Sequence, residues 1–178
     1  MSQAPALPVA HGHLHAGQTV IDAMLSIATV SDSTATVSEL WALFDDDHIH
    51  AAVIVVDGVL MTVIERSDLE SHARDRDPAI HLGTLHGRVI TPDTPLEQAR
   101  QRMLRSRRRR LAVIDADGTY RGLLCLKRTG TGFCSDQDVR ARSAEAGAPA
   151  LIRKPADLPA RPGFSTWRAL RLAAGQRW

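Results

Sequence analysis

Aromatic residues are scarce in this chain: three Phe, three Trp and one Tyr make up 4% of 178 residues. A core must therefore rest on Val, Ile, Leu, Ala and Met. No run of 18 apolar residues occurs, so no segment reads as a membrane span. Cysteine is limited to Cys125 and Cys134. Two are too few for the disulfide framework of a small secreted domain, and without a CxxC they exclude a zinc ribbon or a thioredoxin-type motif. Residues 1–58 hold no Lys or Arg. A secretory signal needs a basic start and an apolar block, and Met1–Thr19 has neither. These absences lead to the expectation of a soluble cytoplasmic protein.

Hydrophobic residues reach 44%, enough to bury a core, which excludes wholesale disorder. The length fits one compact domain, or two small repeats with a tail. A net charge of +2 conceals an asymmetry: residues 1–99 carry −10 and residues 100–178 carry +12. Twenty of the 22 basic residues are Arg. A high-G+C genome gives that bias, and so does recognition of phosphates or carboxylates, which the planar guanidinium suits. The asymmetry itself points either to self-association of opposite faces or to an anionic partner.

An internal repeat organises the middle of the chain. Ala51–Val56, the turn Asp57-Gly58 and Leu60–Ile64 read as a β-hairpin. Leu111–Ile114, Asp117-Gly118 and Tyr120–Leu126 repeat it at an offset of 60 residues. A capping box precedes each hairpin: Thr36-Val37-Ser38-Glu39, and Thr94-Pro95-Leu96-Glu97 with Pro at the first helical position. Val37, Leu40 and Phe44, and then Leu96, Ala99 and Met103, give each helix one apolar face. Short extended stretches, Ala28–Val30 and Arg88–Ile90, come before the helices. Ser67–Arg74 closes the first unit as a helix, and Ser135–Asp138 opens the last helix of the second. Residues 1–18 read as a mobile leader. Residues 143–178 carry four Pro in a short span and read as a linker followed by the basic segment Phe164–Trp178. The units are therefore 19–78 and 79–142.

These features resemble a tandem pair of cystathionine-β-synthase (CBS) domains, the Bateman module, over about residues 19–142. Val20-Ile21-Asp22-Ala23-Met24 is similar to the family's Val-x-Asp-x-Met opening. Val63-Ile64-Glu65-Arg66-Ser67-Asp68-Leu69 resembles its apolar-apolar-Thr-x-x-Asp-Leu ending, and Thr91–Ala99 resembles the entry to its long helix. The resemblance implies an α/β fold of two βαββα-type repeats packed pseudo-two-fold. It also implies clefts that hold adenosine compounds such as AMP, ADP, ATP or S-adenosylmethionine, and a role in regulating a partner protein rather than catalysis. By the same resemblance, Asp68 accepts from ribose, Thr91 belongs to the nucleotide site, and Ala51, Ala52, Leu111 and Ala112 line the adenine pocket. Helix N-termini after Thr36 and Thr94 offer amides to phosphate. The chain departs from the pattern at three positions. Glu65 replaces a hydroxyl residue, and it repels phosphate unless it is protonated, pairs with Arg66 or meets a metal. Cys125 stands at the second hydroxyl position. Arg128 stands at the second Asp position and substitutes a phosphate-compatible cation.

Arg107, Arg108, Arg109 and Arg110 form a basic run that attracts phosphate or solvates an edge. No aromatics flank it for base stacking, which argues against nucleic acid. Asp45-Asp46-Asp47-His48-Ile49-His50 is the acidic counterpart at an offset of about 60, and a homodimer that sets one run against the other explains the charge asymmetry. His11, His13 and His15, and His48 and His50 on a strand, lack a third ligand at fixed spacing, so no metal site is expected. The glycine-rich Lys127–Gly132 lacks P-loop spacing. It reads as a flexible exit from the last strand or a cover for the second cleft. The sequence thus points to a stand-alone nucleotide-sensing module. The other reading is a ligand-free dimeric scaffold that contacts a protein or nucleic acid through its Arg run and tail.

Overall fold

The computed structural model describes residues 17–26, 28–70, 76–146 and 152–153. The leader histidines and Phe164–Trp178 lie outside the described residues, as does the end of the helix expected over 67–74. The first repeat consists of β1 (Ala28–Ser31), α2 (Val37–Phe44), β2 (Ala52–Val56), β3 (Val59–Ile64) and a short α3 (Arg66–Leu69), preceded by a one-turn α1 (Val20–Ala23). A 3-10 turn, Ala79–His81, leads to the second repeat: β4 (Val89–Ile90), α4 (Leu96–Arg105), β5 (Arg110–Ile114), β6 (Tyr120–Cys125) and α5 (Asp136–Ala146). In each repeat the first strand runs parallel to the second, and the hairpin partner runs antiparallel. A two-residue β7 (Ile152–Arg153) adds to the outer edge of β1, giving a four-stranded sheet beside a three-stranded one. The sequence reads this stretch as linker. Two extended residues pair there because the β1 edge is otherwise open.

Period-two alternation assigns each strand face to a different core. Val53, Val55, Leu60 and Val63 of the first sheet pack with Ala112, Ile114, Tyr120 and Leu123 of the second. This is the core between the repeats. Their strand neighbours Ala52, Ile54 and Ile64 turn outward to Val37, Leu40 and Phe44 of α2. Leu111, Val113 and Leu124 turn to Leu96, Ala99 and Met103 of α4. The first hairpin turns at Asp57 and Gly58, both with positive φ (51° and 80°), the pairing that matches strand twist.

The two capping boxes differ. Thr36 Oγ1 accepts from the Glu39 amide at 3.4 Å, and Glu39 Oε2 accepts from the Thr36 amide at 2.8 Å. The second box does not form. Pro95 is the cap residue, and it has no side-chain cap bond. Glu97 turns to Arg100 at 2.7 Å and to Gln101 at 3.0 Å. The first amide of α4, Leu96, donates instead to Gln18 O at 2.9 Å.

That bond belongs to an exchange of opening segments. The α1 segment of the first repeat docks on the second: Val20 N donates to Thr94 O, Ile21 N to Pro92 O, and Leu25 pairs with Leu123. Val20 is fully buried in the core beneath α4. The segment before β4 docks reciprocally on the first repeat. Val37 N donates to Asp77 O, Ala79 N to Ala35 O, and Thr84 pairs with Val63. The hairpins also touch, through Leu60 N to Gly118 O at 3.1 Å and Tyr120 N to Gly58 O at 2.8 Å. Neither repeat completes its core alone.

Tyr120 lies in the inter-repeat core with its hydroxyl buried and without a hydrogen-bond partner among the described residues. Burial raises its pKa, so the phenol is neutral. An orphaned buried hydroxyl destabilises. Tyr120→Phe is therefore expected to leave stability unchanged or raise it by up to about 1 kcal/mol in urea unfolding.

Candidate functional cleft

The end of β3 feeds directly into α3, so Glu65 is the N-cap of that helix and Asp68 sits in its first turn. Asp68 Oδ2 accepts from the Glu65 amide at 2.8 Å. This holds both carboxylates at the inner mouth of the first repeat. Two cations from the second repeat reach across to them. Arg88, the residue before β4, is only 5% exposed. Its fork donates to both Asp68 oxygens, one through Nη2 at 2.9 Å. It also donates to Val63 O at 2.9 Å and lies 3.3 Å from Glu65 Oε2. Arg108 Nε donates to Glu65 Oε1 at 3.0 Å.

The electrostatics follow from this geometry. Burial alone raises the Asp68 pKa. The Arg88 hydrogen bond, the Glu65 amide and the charges of Arg88 and Arg108 outweigh it and hold the carboxyl below its ordinary value. Burial likewise opposes the charge of Arg88, and Asp68 and Glu65 reverse that effect. A depressed carboxylate contributes stability that is present above its unfolded pKa and lost as pH falls through the folded one. Stability is therefore expected to decline below about pH 4, and Asp68→Asn is expected to flatten that limb of an acid titration.

The structure separates several residues that the sequence groups. Asp68 and Glu65 come together, but the partner of Glu65 is Arg88 and Arg108. Arg66 instead donates to Phe44 O and lies over the Trp41 and Phe44 rings at 5.7 and 5.8 Å. Ala51 and Ala112 face the inter-repeat core, whereas Ala52 and Leu111 face the helices. Side chains one apart on a strand cannot share a wall. Thr91 lies at the carboxyl ends of β4 and β5, where it lines a cavity of about 380 Å³ with Thr94, Arg102 and Asp115. Cys125 pairs with Arg110 at the start of β5, so the length of that strand, roughly 13 Å, separates it from Thr91. Of the amides expected to offer phosphate sites after Thr36 and Thr94, the first of each helix, Val37 and Leu96, donates to an exchanged segment.

The Arg run is divided. Arg107 is exposed, with φ 54°, and Arg108 belongs to the first cleft. Arg109 lies 3.3 Å from His50 Nε2 and donates to Leu126 O, while Arg110 donates to His48 O. The basic run and the 45–50 segment are thus neighbours within one chain. That segment is a loop, not the strand expected for His48 and His50. Burial and then Arg110 and Arg109 lower the pKa of His50. Arg128 is exposed in the loop after β6, and Cys125 is bonded to Cys134. No group of three His, Cys, Asp or Glu that could hold a metal occurs among the described residues, and none of their helices is long and apolar enough to cross a membrane.

Sequence reasoning missed Arg88. Its one signal was a lone cation at the start of an apolar strand, in a chain whose first unit ends in two carboxylates.

Comparison with known proteins bears on this arrangement. Residues 85–128 match the CBS domain model. No curated protein matches the chain. The crystal structure of CBSX2 in complex with AMP is 25% identical with a TM-score of 0.52, over 73% of this chain and 99% of that one. A cystathionine beta-synthase pair domain from Shewanella oneidensis MR-1 is 26% identical with a TM-score of 0.53, over 71% and 72%. A CBS domain protein from Pyrobaculum aerophilum complexed with AMP, 16% identical over 63% and 94% with a TM-score of 0.51, shares the fold. Residues 85–128 thus match a CBS domain in sequence, and across both repeats the chain has the fold of a tandem CBS-domain pair, a Bateman module.

Proposed function

We propose that this chain is a regulatory binding module that senses an adenosine nucleotide at the cleft between its repeats. The observation that carries the reading is the four-charge cluster of Glu65, Asp68, Arg88 and Arg108, built from both repeats. The AMP complex of a 25% identical CBS structure supplies the ligand class. Asp68 accepts from ribose hydroxyls in place of one arm of Arg88. The phosphate takes the guanidinium groups of Arg88 and Arg108 from Glu65, as charge-assisted pairs. Binding then exchanges contacts that tie one repeat to the other, so occupancy biases their relative packing. A regulated protein on another chain reads that change, and the working state is a cytoplasmic homodimer with no catalytic role. Titration of AMP, ADP, ATP and S-adenosylmethionine into the purified chain tests the ligand, and sedimentation tests the dimer.

A second reading has its own observation. Asp68 already has a bidentate partner in Arg88, which suits a ligand-free scaffold whose Arg run and C-terminal tail recruit a partner. Such a scaffold responds to Arg107→Ser and not to AMP.

A further inference from the structure

The Cys125–Cys134 bond links the last residue of β6 to the residue before the Ser135 cap of α5. Cys125 ends β6 and is 1% exposed, whereas Cys134 is half-buried. The bond closes the segment that carries Lys127, Arg128 and the two glycines Gly130 and Gly132. The ends of that loop are also tied by the Leu126–Phe133 bridge, by Phe133 packed on the second core and by Lys127 Nζ at 3.5 Å from Asp138. Lys127 N donates to Gly132 O at 2.8 Å, Gly130 N to Lys127 O at 2.9 Å and Cys134 N to Cys125 O at 2.8 Å. Arg100 of α4 reaches Gly130 O at 3.1 Å. Beyond the loop, Ser135 caps α5, and Asp136 accepts from the amide of Ser26, on the segment that leads into β1. The bond therefore joins the end of β6 to a helix anchored beside the first repeat. In a reducing compartment a disulfide of this kind is transient and redox-sensing rather than structural.

We propose that Cys125 and Cys134 form a reversible thiol–disulfide site, exchanging with small thiols of the glutathione class, that sets the order of the 126–133 loop. An incoming thiolate attacks the more accessible Cys134 sulfur. The S–S bond breaks, and Cys125 leaves as a thiolate and takes up a proton. A second thiol attacks the mixed disulfide on Cys134 and releases it as a thiol. The protein gains two electrons and two protons, and two small thiols become one disulfide. Reduction frees the chain between β6 and α5. Resting on the nucleotide reading, it also frees the loop that carries Arg128.

The test compares oxidised and dithiothreitol-reduced full-length chain by amide hydrogen exchange, with the thiol state read by mass. On reduction the Lys127, Gly130 and Cys134 amides are expected to exchange at least about tenfold faster while β2 and β5 amides are unchanged. Cys134→Ser is expected to match the reduced form. Folded reduced chain in glutathione buffers is expected to reoxidise as the disulfide fraction of the buffer rises. Equal exchange in the two forms overturns the proposal, as does failure of the folded chain to reoxidise, and neither result depends on the variant. AMP titration of both forms separates the two readings. If neither form binds AMP but the exchange difference persists, the nucleotide reading fails and the thiol site stands.

Discussion

Replacing Arg88 with leucine is expected to destabilise the fold by about 3–5 kcal/mol in urea unfolding. Arg88 is 5% exposed and makes the bidentate contact to Asp68. Removing it leaves Asp68 desolvated with one cation fewer and Val63 O without its donor at 2.9 Å. Glu65 keeps Arg108, so the cost falls on Asp68. A leucine fills the volume but answers neither charge. The double variant Arg88→Leu, Asp68→Asn is therefore expected to be more stable than the sum of the two single losses by about 1–3 kcal/mol, because the stranded charge is gone. A loss below about 1 kcal/mol in the single variant, or strict additivity in the double, contradicts a buried pair at this site.

The second large effect tests the exchanged segments. A Cβ at Gly122 comes within 2.3 Å of Leu25 O and 3.3 Å of the Met24 sulfur. The backbone oxygen cannot yield without breaking the Leu25–Leu123 bonds of 2.8 and 3.1 Å. Gly122→Ala is thus expected to cost about 3 kcal/mol, from a steric clash plus lost backbone bonds. Gly83 is the matching position. Its Cβ meets Val63 O at 2.3 Å and Thr62 Oγ1 at 2.5 Å, where the segment before β4 docks on the first repeat. Gly83→Ala is expected to cost a similar amount. Unfolding midpoints of the two variants that match wild type contradict the reciprocal docking.

Much of the fold was legible because its signals are local. The Asp-Gly turns, the Thr36–Glu39 box and the apolar stripes of α2 and α4 depend on neighbours within a few residues. The exchange of opening segments was not legible, because Val20 and Ala79 read as apolar in any packing. Glu97 could pair with the Thr94 amide or with Arg100, and in the fold that amide donates to Thr91 O while Thr94 Oγ1 pairs with Thr91 Oγ1. The cleft was half legible. Asp68 and Glu65 are neighbours in sequence, but Arg88 and Arg108 reach them only through the packing of the second repeat. Thr91 was assigned to the nucleotide site by resemblance, and strand register places it at the end of the second sheet opposite Cys125.

Nucleotide binding at the first cleft is the central claim, and thermal unfolding of the full chain with AMP tests it most directly. A ligand at 100 times its Kd adds about 2.7 kcal/mol, which raises the midpoint by about 5 °C or more at this size. The account predicts that shift for wild type and its loss in Asp68→Asn, with urea unfolding of the apo variant showing that it remains folded. A midpoint unmoved by millimolar AMP, or an equal shift in wild type and Asp68→Asn, contradicts it.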